Sequence, residues 1–245
     1  MIYFISPGWN CEPFIKNWYE SIINALRNCS HDYTIIAVND GSTDNSQELL
    51  EEIAKKDLRV VLLKNDSNCG PAYSRWQAWK CVDKVYNSIC INLDMDDYLT
   101  VDAISVIENH YMSGIKMTMG SIVNYPQAGK FYSKEDVDKN LFPTYNQYRG
   151  LAPLTYRSSL IKLFDDSDFK DASGNWLHHC SDVALTFSLL FNISSNELAN
   201  IKKPIYIYNI RRDGTMFRFG NKKKEMYRYL CEKFNEKITQ KHISS

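Results

Sequence analysis

Three carboxylates, Asp94, Asp96 and Asp97, fall within four positions directly after the apolar run I-C-I-N-L at 89–93. A short, Ile-rich apolar run reads as a buried strand. The acids therefore stand where a strand emerges, the usual ligand position in an open α/β sheet. If the backbone stays extended, Asp94 and Asp96 share a face and Asp97 points away. Carboxylates so placed repel unless a cation lies between them, and a hard divalent ion that also carries phosphates suits the pair. The competing reading is a solvated acidic turn, ordinary in a chain with 29 acids. A second candidate is V-N-D-G-S-T-D at 38–44. Asp40 at a strand end can bond a base edge or a ribose, and Gly41 lets backbone approach a ligand. An ordinary capped turn has the same vocabulary.

The elements that must position these groups alternate regularly in the first hundred residues. Apolar runs at 2–5, 33–38, 60–63 and 89–93 read as strands, the first closed by a turn at Ser6-Pro7-Gly8. Between them lie helical patterns. One is capped by Asn10, has Pro13 in its first turn and carries Phe14, Ile15, Trp18, Ile22 and Leu26. Another is capped by Ser42 or Thr43 and carries Leu49, Leu50 and Ile53. A third follows the turn at 65–71 and carries Trp76, Trp79 and Val82. Such repeats imply right-handed βαβ units and a mostly parallel sheet with helices on both faces. The strand ends then share one edge, and one site is assembled from four loops. Further on, a helix is expected over 101–110, a strand over 115–123, a helix over 181–191, a strand over 205–210 and an amphipathic helix over the last 25 residues. Residues 125–150 show no clean period, which marks a functional or mobile loop. No repeat or linker divides the chain, so one domain is expected over 1–245.

Composition narrows the class. Lys plus Arg and Asp plus Glu are both 29, which argues against a general polyanion binder. The local exceptions are Lys222 to Lys224 and the pair Arg211 and Arg212. Seven scattered cysteines without a C-x-x-C argue for free thiols in a reducing compartment, and against a disulfide framework or a zinc site. No signal peptide or window of 18 apolar residues is seen, so the expectation is a cytoplasmic protein.

Taken in order, the strand ending in Ser6-Pro7, N-D-G-S-T-D at 39–44, N-C-G-P-A at 68–72 and L-D-M-D-D at 93–97 resemble the family 2 glycosyltransferases of the GT-A fold. The likeness is strong over the first hundred residues and fainter to about residue 215. It implies a Rossmann-like nucleotide-sugar-binding half (1–100), an acceptor-side half (101–220) and a C-terminal helix (221–245). By resemblance, Asp40 would bind the nucleobase, with Gly41, Ser42 and the backbone at Ser6 and Pro7 around it. Asp94 would touch the ribose, Asp96 would hold Mn²⁺ or Mg²⁺ with Asp94 beside it, and Asp97 would brace the loop. Asn68 and Gly70 would lie under the nucleotide, and Arg75 would face either the diphosphate or solvent. In H-H-C-S-D-V at 178–183, Asp182 matches the family's catalytic base, and Ser181 stands where an acid is usual. The plainer reading makes Ser181 and Asp182 a helix cap.

His178 and His179 are candidates for acceptor or phosphate contact, or else structural. Arg211 and Arg212 are candidates for the diphosphate, to which the guanidinium fork is suited. Trp176 is either a sugar platform or core. The resemblance implies metal-dependent inverting transfer from a nucleoside-diphosphate sugar to a hydroxyl of a glycan or lipid-linked acceptor. A nucleic-acid acceptor and peripheral membrane contact stay open. The rivals are a haloacid-dehalogenase-like phosphohydrolase and a catalytically inactive sugar-nucleotide-binding module. A nucleotidyltransferase would want a Gly-rich basic loop after the first strand, and a dinucleotide oxidoreductase a G-x-G-x-x-G; neither pattern occurs.

Overall fold

A computed structural model of the chain describes residues 1–84, 87–123, 136, 152–209, 211 and 220–244. The N-terminal alternation is realised as β1 (Ile2–Gly8), α1 (Ile15–Ala25), β2 (Tyr33–Asn39), α2 (Ser46–Lys56), β3 (Val60–Lys64), α3 (Pro71–Lys80) and β4 (Ile89–Asn92). There follow β5 (Tyr98–Leu99), α4 (Ala103–Tyr111), β6 (Met117–Ile122), β7 (Leu154–Arg157), α5 (Ser181–Phe191), β8 (Leu198–Ile207) and α6 (Gly220–Ser244). The strands form one sheet in the order β3-β2-β1-β4-β7-β6-β8-β5. β1, β2, β3 and β4 are mutually parallel, while β7 runs antiparallel to both β4 and β6, and β5 runs antiparallel to β8.

Alternation along β1 shows why the sheet is covered twice. Tyr3 and Ile5 point into a core shared with α3, α5 and α6, and Ile2 and Phe4 into one shared with α1, α2 and α4. A strand with both faces buried needs an unbroken apolar run, which is what residues 2–5 supply. α6 closes the first core with Tyr227, Leu230 and Phe234, and Phe187 of α5 meets the Phe234 ring edge-on at 5.5 Å.

Several expected boundaries move. β1 does not turn at Ser6-Pro7-Gly8 but continues in register with Ala37, Val38 and Asn39 of β2. Pro7 loses its N–H yet still accepts from Met95 N at 3.2 Å, so pairing survives. Asn10 does not cap α1, which begins after Phe14 without a side-chain cap. Its side chain instead accepts from Thr43 N at 2.8 Å while its own N–H donates to Ser42 Oγ at 2.9 Å. Ser42 is thereby committed to the β1–α1 loop, and α2 starts later, where Asp44 Oδ1 accepts from Ser46 N at 3.0 Å. β7 was not expected, and β8 begins seven residues earlier than the expected start at 205. The irregular segment 125–150 lies outside the described residues apart from position 136.

Candidate active site

The acidic triplet sits in a turn, not on an extended strand. β4 ends at Asn92, and Asp97 N closes a turn on Asp94 O at 3.0 Å. Met95, 1% exposed, is the anchor: its side chain is buried in the core under β1, and only a glycine at position 8 leaves room for it. Burying Met95 sets Asp94 and Asp96 at the surface on either side. The turn also corrects the expectation that Asp97 points away, because one carboxylate oxygen from each of Asp94, Asp96 and Asp97 lies within 4.8 Å of the others.

The three acids have different partners. Asp97 is buried, accepting from Tyr206 Oη at 2.5 Å and Asn209 N at 2.7 Å, and so ties the turn to β8. Asp94 accepts from Arg75 Nη2 at 2.5 Å. Asp96 lies 3.5 Å from Arg211 Nη1, a loose ion pair. Arg211 also donates to Trp9 O at 3.2 Å and Asn10 O at 3.0 Å, so it joins the triplet to the β1–α1 loop. Arg212 is outside the described residues. Burial, and then the charge of Asp94, push the Asp96 carboxyl above the ordinary carboxylate range, and Arg211 offsets this only in part. Asp97 is raised too, by burial and by its two acidic neighbours. The three acids thus crowd one another more than their two arginines relieve. A hard divalent ion fits this all-oxygen set, with Asp96 the least committed ligand and Asp94 beside it.

Asp40 is held by groups of its own chain. It is 3% exposed, with Oδ1 accepting from Asn65 Nδ2 at 2.7 Å and Cys69 N at 3.0 Å, and Oδ2 accepting from Gly70 N at 2.9 Å. Its carboxylate shapes the loop leading into α3. Gly41 serves the same packing. At φ +67°, a Cβ there would stand 2.3 Å from the Ser67 carbonyl carbon, so a glycine is required for the chain's own close approach. Asn68 is exposed at the tip of this loop, whereas Gly70 is buried. Ser6 is fully buried, and its Oγ has no hydrogen-bond partner. Asn65, absent from the sequence expectations, holds Asp40 to Ser74 Oγ, the latter at 3.0 Å.

Arg75 connects the two halves. It is 4% exposed and donates from Nη1 to Ser181 Oγ at 2.5 Å as well as to Asp94. Burial alone would lower its pKa; Asp94 and then Asp182 outweigh that, and it is held above its ordinary value. Of the two alternatives for this side chain, solvent is excluded. Ser181 and Asp182 open α5, whose N-cap is Cys180 in the left-handed region at φ +58°. Asp182 is exposed in the first turn. The half-buried Tyr208 hydroxyl has its pKa raised by burial first and then by Asp97, Asp96, Asp94 and Asp182, so all four acids act on one neighbourhood. The segment carrying Asp182 touches the loop before α3: a Cβ on Gly70 would lie 3.0 Å from the exposed His178 ring. His179 is half-buried, and its pKa is lowered by burial and then by Lys223. Trp176 is half-buried in an aromatic cluster, 5.4 Å from Tyr73 and 5.7 Å from Trp76. It is part core, at the margin of the site.

Comparison with known proteins decides among the chemistries this arrangement allows. A sequence profile described as glycosyl transferase family 2 matches residues 3–173. The chain belongs to this family. An uncharacterized glycosyltransferase of Haemophilus influenzae is 30% identical over 231 residues, covering 86% of this chain and 87% of that one. The poly(ribitol-phosphate) beta-glucosyltransferase of Bacillus spizizenii is 33% identical over 218 residues, covering 87% of this chain but 33% of its own length. The fold resembles that of S. aureus TarS 1–349 in complex with UDP-GlcNAc, with a TM-score of 0.59 at 19% identity, covering 89% of this chain and 60% of that one. As a member of family 2, the chain has the GT-A fold and is a nucleotide-sugar-dependent glycosyltransferase. Membership removes the phosphohydrolase reading of the acids after β4.

Proposed function

We propose that the chain transfers a sugar from a nucleoside diphosphate to a hydroxyl acceptor with inversion, in one displacement, using a divalent cation at Asp96. The observation that carries this reading is Arg75, which joins the donor-side Asp94 to the helix start bearing Asp182 through two hydrogen bonds of 2.5 Å. Asp94 is directed to the ribose, and Asn68 and the loop braced by Asp40 line the base and sugar, with the buried end of β1 at Ser6 and Pro7 beneath them. Asp96, with Asp94 alongside, would hold Mn²⁺ or Mg²⁺, and an ion there would supply positive charge to the departing diphosphate. Arg211 adds a cation on the same side, and electrostatic help aimed at the leaving group is a large catalytic term. Asp182, exposed at the start of α5, accepts the proton of the acceptor hydroxyl as its oxygen attacks the anomeric carbon. With one base on the acceptor side and no nucleophile on the donor side, no covalent intermediate is required.

The Bacillus relative's name supports a polyhydroxylated acceptor, and a glycan or lipid-linked sugar is the class proposed. Among the described residues no helix is long and apolar enough to cross a membrane. Asp182→Asn tests the assignment: transfer should fall by at least ~10³-fold with donor affinity nearly unchanged. Loss of donor binding in that variant would take Asp182 off the acceptor side.

A further inference from the structure

A second cluster of metal-binding side chains lies away from the acidic turn. Cys29 and His31 precede the first residue of β2, and Glu108 projects from α4. Asp94 and Asp96 follow the last residue of β4, so the two clusters occupy opposite edges of the parallel strands. One ligand atom from each of Cys29, His31 and Glu108 lies within 4.8 Å of the others. Sγ of Cys29 is 3.3 Å from Glu108 Oε1, Nδ1 of His31 is 2.8 Å from that same oxygen, and Sγ to Nδ1 is 4.0 Å. Zinc bonds of about 2.3 Å to sulfur and about 2.0–2.2 Å to nitrogen or oxygen in a tetrahedral site imply edges of about 3.3–3.6 Å. The observed separations straddle that range, so small side-chain rotations would bring all three onto one ion.

Two further observations point the same way. The backbone N–H of His31 donates to Cys29 Sγ at 3.4 Å, which stabilises charge on a thiolate ligand and orients it. The cluster also opens onto a cavity of about 450 Å³, lined by Cys29 and His31 together with Arg27, Asp32, Tyr33 and Arg59. His31 is 55% exposed at its side chain and Glu108 24%, so a fourth position is open to water.

We infer that Cys29, His31 and Glu108 form a three-ligand Zn²⁺ site that clips the loop before β2 to α4. The mixed sulfur, nitrogen and oxygen set selects a borderline transition ion over Mg²⁺ or Ca²⁺, which take oxygen. Cys29 gives up its thiol proton to solvent as the sulfur–metal bond forms, and no other reactant is needed. This site is separate from glycosyl transfer and does not depend on that reading.

The test uses the whole chain, stripped of metal and dialysed against Zn²⁺ with excess Mg²⁺ to fill hard oxygen sites. One tightly held Zn²⁺ per chain is expected, together with a higher melting temperature. Cys29→Ser and Glu108→Gln should lose both, and His31→Ala should weaken binding more than about tenfold, while Asp96→Asn keeps the ion. Co²⁺ in place of Zn²⁺ should give a thiolate charge-transfer band that is absent in Cys29→Ser. Cys29 is partly buried at the margin of a core cluster, and melting curves without metal check that each variant folds. Failure of the native chain to retain Zn²⁺, or equal retention and an unchanged band in folded Cys29→Ser, would overturn the site and leave a simple His31–Glu108 ion pair.

Discussion

Replacing Arg75 with Met keeps an unbranched apolar stem and removes the guanidinium, and with it both hydrogen bonds to Asp94 and Ser181. Bonds to a charged group contribute about 1.5–3 kcal/mol each in a buried setting. Asp94 is 42% exposed at its side chain, so water replaces part of its bond, and the lower figure applies there. Ser181 is 4% exposed and has no such replacement. The combined loss is about 3–4.5 kcal/mol, which at about 1.4 kcal/mol per decade is a roughly 100- to 1500-fold fall in kcat/KM. Lysine at the same position has a single point of charge and cannot serve both partners, so Arg75→Lys should fall between, at about tenfold or more. The assay is nucleoside diphosphate release under subsaturating donor, with a melting curve for each variant. Crossing Arg75→Met with Asp94→Asn should show a coupling of about 1 kcal/mol or more, since the two side chains touch. A folded Arg75→Met enzyme within about threefold of the native kcat/KM would refute the reasoning.

Two further predictions concern the scaffold. Gly41→Ala puts a Cβ at φ +67° and 2.3 Å from Ser67, so the loop from 65 to 70 must shift; a loss of at least ~1–2 kcal/mol is expected, with a higher donor KM, and an unchanged melting temperature would contradict it. Asp57 is 6% exposed and holds Tyr19 Oη at 3.0 Å and Arg59 Nε at 2.8 Å. Burial pushes its carboxyl up, but hydrogen bonds from Arg59 and Tyr19 outweigh this and hold it below the ordinary value. Its contribution is therefore full above the unfolded value, about 3.9, and is lost as pH falls through the folded one. Asp57→Asn should cost about 1–3 kcal/mol between pH 5 and 8, with the gap from the native chain closing below about pH 4 in urea titrations. Burial and then Asp57 push Tyr19 up to about 12, so stability from that bond is full below the unfolded value, about 10, and is lost as pH rises from there through the folded one.

Much of the first half was legible because each β-strand there is an unbroken apolar run and each helix has an apolar stripe. The second half depends on tertiary contacts that local patterns do not encode. β7 is four residues, L-T-Y-R, yet it sits mid-sheet, where Tyr156 Oη accepts from Trp79 Nε1 at 2.7 Å and donates to Asn92 Oδ1 at 3.2 Å. No period can be read from so short a run. The early part of β8 was hidden by Lys202-Lys203-Pro204, which reads as a break; a bulge in its pairing with β6 accommodates Pro204 opposite Ser121. At the site, residue types pointed to the loops, and the distances add what each side chain touches within the chain. Asp40 and Gly41 look like ligand contacts because carboxylate and glycine serve ligands and tight loops equally well; the distances show that both also brace the loop at 65–70. Arg75 and Ser181 are 106 positions apart, and no spacing rule links them. The acids of the D-M-D turn were found from their place after a strand, which survives the change from extended chain to turn.

The central claim is donor chemistry at Asp94 and Asp96 with a divalent cation. The most direct measurement incubates the chain with a panel of nucleoside-diphosphate sugars and an acceptor mixture, following nucleoside diphosphate and free phosphate in the same tube, with Mn²⁺, with Mg²⁺ and with chelator. The account predicts release of nucleoside diphosphate from one donor class, abolished by chelator and by Asp96→Asn. Release of free phosphate, or turnover that persists in chelator and in Asp96→Asn, would contradict it.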